Sequence, residues 1–145
     1  MIRELRFDDI PQFLKFLRAK RQRDVIGVTE AEAKHADMKH WNAVIAQCLD
    51  SGCSFAAFDD DGNMTGLALG IKIPLIWAAN RTDLYLMCVQ ADTNITTAKL
   101  FKAWHSQAIE LPGINRVMVD KIQGTNFDYT RLGYEKLRET YVMEV

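Results

Sequence analysis

The segment YTRLGYE at residues 129–135 carries the strongest fold signal in this chain. Its pattern is typical of a junction between a short helix, over residues 126–131, and a final strand, over residues 134–145. Gly133 permits a turn with positive φ at such a junction, because it has no Cβ to clash with the backbone. We expect Leu132 and Tyr134, on either side of that glycine, to be anchored in the core.

The chain upstream of this junction alternates between helix and strand patterns. Helices are predicted to begin at residues 8–11, at residues 29–32 and at Thr96, because apolar residues recur there at helical spacing. The dipeptide Asp61-Gly62 predicts a hairpin turn between the second and third strands. Together with the junction, the order is β-α-α-β-β-β-α-β-α-β, which predicts a mixed α/β (α+β) sheet. The upstream strands are predicted at residues 2–7, 53–58, 64–73, 83–90 and 115–120.

Composition excludes several classes of protein. The 145 residues suit one domain over residues 1–145, and a hydrophobic fraction of 48% argues against disorder. Lys and Arg number 18 against 19 Asp and Glu, so no strong nucleic-acid signal is present. The most apolar stretch, residues 66–79, is interrupted by Lys72 and Pro74 and is too short to span a bilayer. We therefore expect no membrane partner.

Cysteine and histidine usage predicts no metal site. Cys48, Cys53 and Cys88 form no zinc-binding pattern, and His35 and His40 are five residues apart rather than four. The acidic run at residues 59–63 departs from a calcium-binding loop because Ala57 and Ala68 stand where acids are needed. The expectation is three buried free thiols in a reducing, cytoplasmic compartment, since the N-terminus has no apolar signal core.

The element order and the segment at residues 129–135 together resemble the GCN5-related N-acetyltransferase (GNAT) family over essentially the whole chain. Members commonly carry a Y-x-K-L-G-F-like segment after a short helix, and this chain has Arg131 for Lys and Tyr134 for Phe. The resemblance implies a GNAT-like fold. It also implies transfer of an acetyl or acyl group from acyl-CoA, such as acetyl-CoA, to an amine of a small molecule or a protein.

The resemblance places the cofactor in a slot between the fourth and fifth strands. It implies that the backbone of Met87, Cys88 and Val89 pairs with the pantetheine amides. An aromatic side chain such as Trp77 or Phe127 is an alternative occupant of that slot.

The family's phosphate-binding signature, R/Q-x-x-G-x-G/A, is absent from residues 90–99, which read QADTNITTAK without glycine or arginine. Two interpretations stay open. Thr96, Thr97 and Lys99, with Thr93 beside them, could hold the diphosphate at a helix N-terminus. Alternatively, Asp92, Thr93 or Asn94 caps the helix and no cofactor binds.

The resemblance also implies catalytic residues. Tyr129 matches the tyrosine that protonates the leaving thiolate, although a packing role is the alternative. Ile122 stands at the spacing of a family asparagine that contacts the cofactor, so Asn126 is the candidate contact instead. For the general base we expect Asp83 or Asp120, each of which is otherwise a solvated charge at a strand end.

Two functions follow from these patterns. The first is an acyl-CoA-dependent N-acyltransferase. The second is a catalytically silent GNAT-like structural or interaction module with protein assembly partners, for example in a bacteriophage particle, and a homo-oligomer fits either function. A weaker prediction is that the basic run at residues 18–23 binds an anionic partner.

Overall fold

The structure is a computed structural model that describes residues 1–19, 38–122, 125–137 and 143. Within this part of the chain, one mixed sheet contains five strands in the order β1-β2-β3-β4-β5. Neighbouring strands are antiparallel except β4 and β5, which are parallel. The strands are β1 (Ile2–Glu4), β2 (Phe55–Phe58), β3 (Met64–Pro74), β4 (Thr82–Ala91) and β5 (Arg116–Val119), and the helices are α1 (Ile10–Ala19), α2 (Met38–Asp50) and α3 (Asn94–Glu110).

The sheet separates two hydrophobic layers. Alternating strand residues send Leu67 and Leu69 toward α1 and α2, and Ala68, Leu84 and Leu86 toward α3. On the α3 side the largest buried side chain is Trp104, which is 0% exposed. The crossover from β4 through α3 to β5 makes these two strands parallel and covers this face of the sheet.

Most of the predicted order is confirmed. The strands and helices from β1 to β5 occur as expected, with ends shifted by a few residues. The β2–β3 turn has Gly62 at φ +80°, and Gly133 has φ +88° as the junction requires. The predicted parts of the second helix before Met38 and of the basic run at residues 20–23 lie outside the described residues.

The end of the chain differs from the prediction. The short helix is only a 3-10 turn, Thr130–Leu132, and residues 134–137 are irregular rather than strand. The rest of the predicted final strand lies outside the described residues, apart from Met143, which is not in a strand. Leu132 is 42% exposed, so its expected core position is wrong, because the tight turn at Gly133 carries only Tyr134 into the core layer.

The expectation of three buried free thiols is confirmed for Cys48, Cys53 and Cys88, and the compartment stays a prediction. Burial raises the pKa of Cys48 to about 12, and burial followed by the charge of Glu4 raises the pKa of Cys53 to about 12. Such thiols stay protonated near neutral pH and act as small apolar side chains. Among the described residues no helix is long and apolar enough to cross a membrane, and no cluster of metal-ligating side chains occurs.

Gly70 is the point of closest packing between the sheet and its neighbours. A Cβ at this position would lie 2.4 Å from the Cys53 carbonyl oxygen and 2.8 Å from Nε1 of Trp104. We expect Gly70→Ala to lower the free energy of unfolding by about 3 kcal/mol, because a backbone atom and a buried indole would both have to move. The control is Gly62→Ala, where nothing lies within 4 Å and only the positive φ opposes a side chain, at about 1 kcal/mol. Urea unfolding measures both, and equal losses would contradict this account of Gly70.

Candidate functional site

Strands β4 and β5 separate halfway along β4. Their parallel pairing runs from Asp83–Arg116 to Leu86–Val119, while β4 continues to Ala91. A β-bulge stands at the same point, because Leu69 pairs with Cys88 and Gly70 with Leu86, which leaves Met87 as the extra residue. Bulges bend a strand and increase its twist, so this one accounts for the divergence. The slot expected between the fourth and fifth strands therefore begins at Met87.

The three residues predicted to line the slot, Met87, Cys88 and Val89, pack their side chains into the two hydrophobic layers and present mainly backbone groups to the slot. Cys88 is 8% exposed and its side chain packs in the layer below α1 and α2, with Met87 beside it. The side chain of Val89 packs in the layer below α3. Along the sheet, β4 pairs with β3 on one side over this stretch, and its other side faces the slot. Backbone N–H and C=O groups on that side can receive an extended, amide-bearing chain.

Tyr129 lies at the mouth of this slot. The backbone N–H of Ile122 donates a hydrogen bond of 2.9 Å to Oη of Tyr129. Ile122 comes three residues after Val119, the last residue of β5 that pairs with β4. The tyrosine hydroxyl is therefore fixed just beyond the point at which the two strands separate.

An aromatic cluster holds Tyr129 in this position. Phe101 on α3 packs against Phe127 at 4.7 Å and against the edge of Tyr129 at 5.9 Å between ring centroids. Tyr134 meets Tyr129 edge-on at 6.2 Å, and its hydroxyl is hydrogen-bonded to Nδ1 of His105 at 2.8 Å. Burial is the main cause that raises the pKa of Tyr134 to about 12, so this hydroxyl keeps its proton at neutral pH. Phe127 thus belongs to the cluster, and Trp77 is 91% exposed and does not fill the slot.

Asp120 comes directly after β5, on the same stretch of chain as Ile122. The hydroxyl of Tyr85 on β4 donates a hydrogen bond to Oδ2 of Asp120. Asp120 precedes Ile122 by two residues, so the Cα atoms of these two residues are at most about 7 Å apart. Asp120 and Tyr129 also line one open cavity of about 1140 Å³ between β5, α3 and the chain after Phe127. These two candidates are therefore brought together.

Asp83 has a different place from the one expected. It is 1% exposed, so it is not a solvated strand-end charge, and its Oδ2 accepts two hydrogen bonds from Arg116, at 2.6 Å from Nη2 and 3.1 Å from Nε. It stands four residues before Met87, at the end of β4 away from the slot, a separation of about 13 Å. This pair joins the first residues of β4 and β5, and we assign Asp83 a structural role rather than that of the base.

Thr93 caps the N-terminus of α3, as one of the two interpretations predicted. Its Oγ1 accepts a hydrogen bond of 3.1 Å from the N–H of Thr96. Thr97 is 7% exposed and its hydroxyl donates a hydrogen bond of 3.2 Å to the carbonyl oxygen of Thr93, so its contact with a diphosphate stays a prediction. Asn94 and Ile95 are the first two residues of α3, so their N–H groups have no carbonyl partner within the helix. Lys99 is exposed one turn further along the helix.

Other predicted and unpredicted residues complete the site. Asn126 is exposed, and within the described ranges no hydrogen bond is seen that would orient its side chain toward the slot. Sequence reasoning missed Tyr85, which orients Asp120, and the N–H of Ile122, which orients Tyr129. The alternation of β4 could have placed Tyr85 on the same face as Asp83, but its partner depended on the register of β5.

The fold is that of the GNAT acetyltransferases. The chain is similar to an acetyltransferase from Trypanosoma brucei at 17% identity and a TM-score of 0.64, with 100% of this chain and 99% of that one covered. It is similar to glucosamine-6-phosphate N-acetyltransferase from Arabidopsis thaliana at 12% identity and a TM-score of 0.64, with 99% and 97% covered. It is also similar to the aminoglycoside N-acetyltransferase AAC(6')-Iy, whose structure contains a CoA-containing bisubstrate analogue. The identity is 14% and the TM-score 0.61, with 99% of this chain and 96% of that one covered.

No protein-family model matches the sequence, and no curated protein matches it. The structural neighbours confirm the expected mixed α/β fold. At identities of 12% to 17%, the similarity shows the fold alone. They give no support to a bacteriophage origin.

Proposed function

We propose that this protein transfers an acyl group from acyl-CoA to a primary amine of a small molecule or a protein. The observation that carries the proposal is the slot that opens after Leu86 and Val119, with the Tyr129 hydroxyl fixed at its mouth. The fold supports it, because the T. brucei, A. thaliana and AAC(6')-Iy proteins of the same fold are named acetyltransferases. We further propose a single cytoplasmic domain.

The described residues suit the pantetheine arm of acyl-CoA better than its diphosphate. The backbone of residues 87–91 suits the amide-bearing pantetheine arm, since one side of β4 is open along the slot. At the diphosphate end, α3 offers the N–H groups of Asn94 and Ile95, the Thr96 hydroxyl and the ammonium of Lys99. Asp92 adds a negative charge there and no glycine lets the backbone come closer, so we expect weak binding of the diphosphate.

The chemistry requires one base and one acid. Acyl-CoA supplies an activated thioester, so the new bond joins the amine nitrogen to the acyl carbon and the bond to sulfur breaks. In this proposal Asp120, whose carboxylate accepts a hydrogen bond from Tyr85, takes the proton that the amine must lose. Tyr129 gives its hydroxyl proton to the leaving sulfur. The N–H donated by Ile122 to the phenol oxygen stabilises the negative charge that develops there.

The alternative of a silent module is not favoured. It predicted that side chains would fill the slot, but Trp77 is exposed and Phe127 packs on Phe101 beside the slot. A structural role would not require the paired arrangement of Asp120 with Tyr85 and of Tyr129 with Ile122.

The direct test is release of free thiol from acetyl-CoA with a panel of small amines and lysine peptides. We expect turnover with at least one amine and none without protein. Binding of acetyl-CoA with no turnover on any amine would favour the silent module.

Asp92 offers a second test that is independent of the amine. We expect Asp92→Asn to bind CoA about fivefold more tightly, because it removes a negative charge close to the diphosphate. Calorimetry at low salt measures the change, and the gain should shrink as salt is added. The control is Asp60→Asn in the exposed β2–β3 turn, which leaves the affinity unchanged. An unchanged affinity in Asp92→Asn would place the diphosphate elsewhere.

A further inference from the structure

The hairpin between β3 and β4 ends in an exposed apolar tip, residues 73–81, that plays no part in the proposed chemistry. The last paired residues are Pro74 and Thr82, so the seven residues between them lie beyond the sheet. Ile76 is 88% exposed and Trp77 91% exposed, while Ile73 is 38% exposed. Large apolar side chains at this exposure, side by side, mark an interaction surface more often than a stable solvated loop.

The tip has a defined shape. Backbone hydrogen bonds join Leu75 N–H to the Arg81 carbonyl at 3.0 Å and Arg81 N–H to the Ala78 carbonyl at 3.2 Å. Asn80 takes the left-handed conformation, with φ of 63°, that closes the turn. Ile76 and Trp77 are therefore presented at the end of an ordered hairpin.

The charged residues along this segment of the chain have one sign. Lys72 directly precedes the tip and Arg81 is its last residue, and both are exposed. No Asp or Glu occurs between residues 62 and 82, and the next acid, Asp83, is buried against Arg116. The tip thus combines a tryptophan, an isoleucine and two cations, which are the side chains that favour the interface of an anionic membrane.

The same facts argue against a second copy of the chain as the occupant. A symmetric pair of tips would bring four cations together. A stable dimer also needs about 800 Å² from each partner, more than a protruding seven-residue turn supplies. Insertion of two side chains into an interface needs neither a large area nor a complementary pocket.

We propose that the hairpin tip docks this protein on anionic lipid surfaces, with Ile76 and Trp77 in the interface and Lys72 and Arg81 against the headgroups. This proposal departs from the expectation of no membrane partner, which rested on the lack of a segment long enough to span a bilayer; a surface contact needs no such segment. The tip lies at the Asp83 end of β4, whereas the slot and the start of α3 lie at its Ala91 end. Docking therefore leaves the proposed acyl-CoA entrance in water.

Tryptophan fluorescence tests the proposal on the full chain. Of the three tryptophans, Trp41 and Trp104 are 5% and 0% exposed, so Trp77 alone should respond. With vesicles of phosphatidylcholine and phosphatidylserine, we expect the emission to move to shorter wavelength and iodide quenching to fall. Lys72→Gln with Arg81→Gln should weaken binding by about 25-fold, since each cation near an anionic surface contributes about fivefold.

Vesicle sedimentation supplies the matched control. We expect Ile76→Ser with Trp77→Ser to bind more than about tenfold more weakly, because two apolar side chains no longer enter the interface. Ile95→Ser, a change at an equally apolar residue that is 70% exposed at the start of α3, should bind like the unmodified chain. The proposal is overturned if the double variant, Ile76→Ser with Trp77→Ser, binds vesicles as well as Ile95→Ser does. It is also overturned by an emission shift that needs only higher protein concentration, which would identify a second copy as the occupant.

Discussion

We expect Tyr129→Phe to lower kcat for acyl transfer by about 100-fold or more while the affinity for acyl-CoA stays within a small factor. The change removes the proton that the leaving sulfur needs and keeps the ring that packs on Phe101. It also leaves the N–H of Ile122 without its acceptor, which costs about 1–3 kcal/mol of stability. Steady-state kinetics beside a thermal melt separates the two effects.

Tyr134→Phe is the matched control for this substitution. The two tyrosines belong to one aromatic cluster, but the Tyr134 hydroxyl is hydrogen-bonded to His105 on α3 rather than at the mouth of the slot. We expect a loss of stability and a change in kcat of less than about threefold. Equal losses of kcat in the two variants would mean that the cluster, and not the Tyr129 proton, sets the rate.

Asp120→Asn should have an effect of similar size. The amide cannot take the proton of the attacking amine, so we expect kcat/KM to fall by about 100-fold at neutral pH. The loss should be partly recovered at high pH, where more of the amine is already deprotonated. Tyr85→Phe keeps the carboxylate but removes the hydroxyl that orients it, and we expect a smaller loss, of about fivefold to tenfold.

Asp128→Asn controls for the loss of one negative charge in the same cavity. Asp128 lines that cavity, is exposed, and pairs with Arg131 at 3.4 Å. A surface pair of this kind contributes little, so activity and stability should be nearly unchanged. If Asp128→Asn lost as much activity as Asp120→Asn, the field of the cavity rather than a base at Asp120 would be responsible.

Local signals in the sequence were sufficient for the order of the elements from β1 to β5. The Asp61-Gly62 turn and the glycine of the junction at Gly133 each depend on a φ that few residues adopt, and both occur as predicted. The Thr93 cap was one of three alternatives, because aspartate and asparagine neighbours could have served equally well. Local chemistry does not choose among such neighbours, since the exact start of the helix depends on how it packs on the sheet.

The site depended on information that is not local. The bulge at Met87 depends on the register between β3 and β4, where the paired residues on either side of the bulge are 16 and 19 positions apart in the sequence. The length of the β4–β5 pairing depends on residues 33 positions apart. The pairs Asp83–Arg116 and Tyr85–Asp120 follow from the β4–β5 register, so sequence reasoning alone did not distinguish between the two aspartates as base. The burial of Thr97 was not predicted either, because it depends on which face of α3 meets the sheet.

The measurement that tests the central claim most directly is a backbone NMR titration with acetyl-CoA. We predict that the amides of residues 87–91, of Asn94 and of Ile95 shift in proportion to bound ligand, while those of β1 and β2 stay in place. Binding with shifts confined to other parts of the molecule, or no shift at millimolar acetyl-CoA, would contradict an acyl-CoA site between β4 and β5.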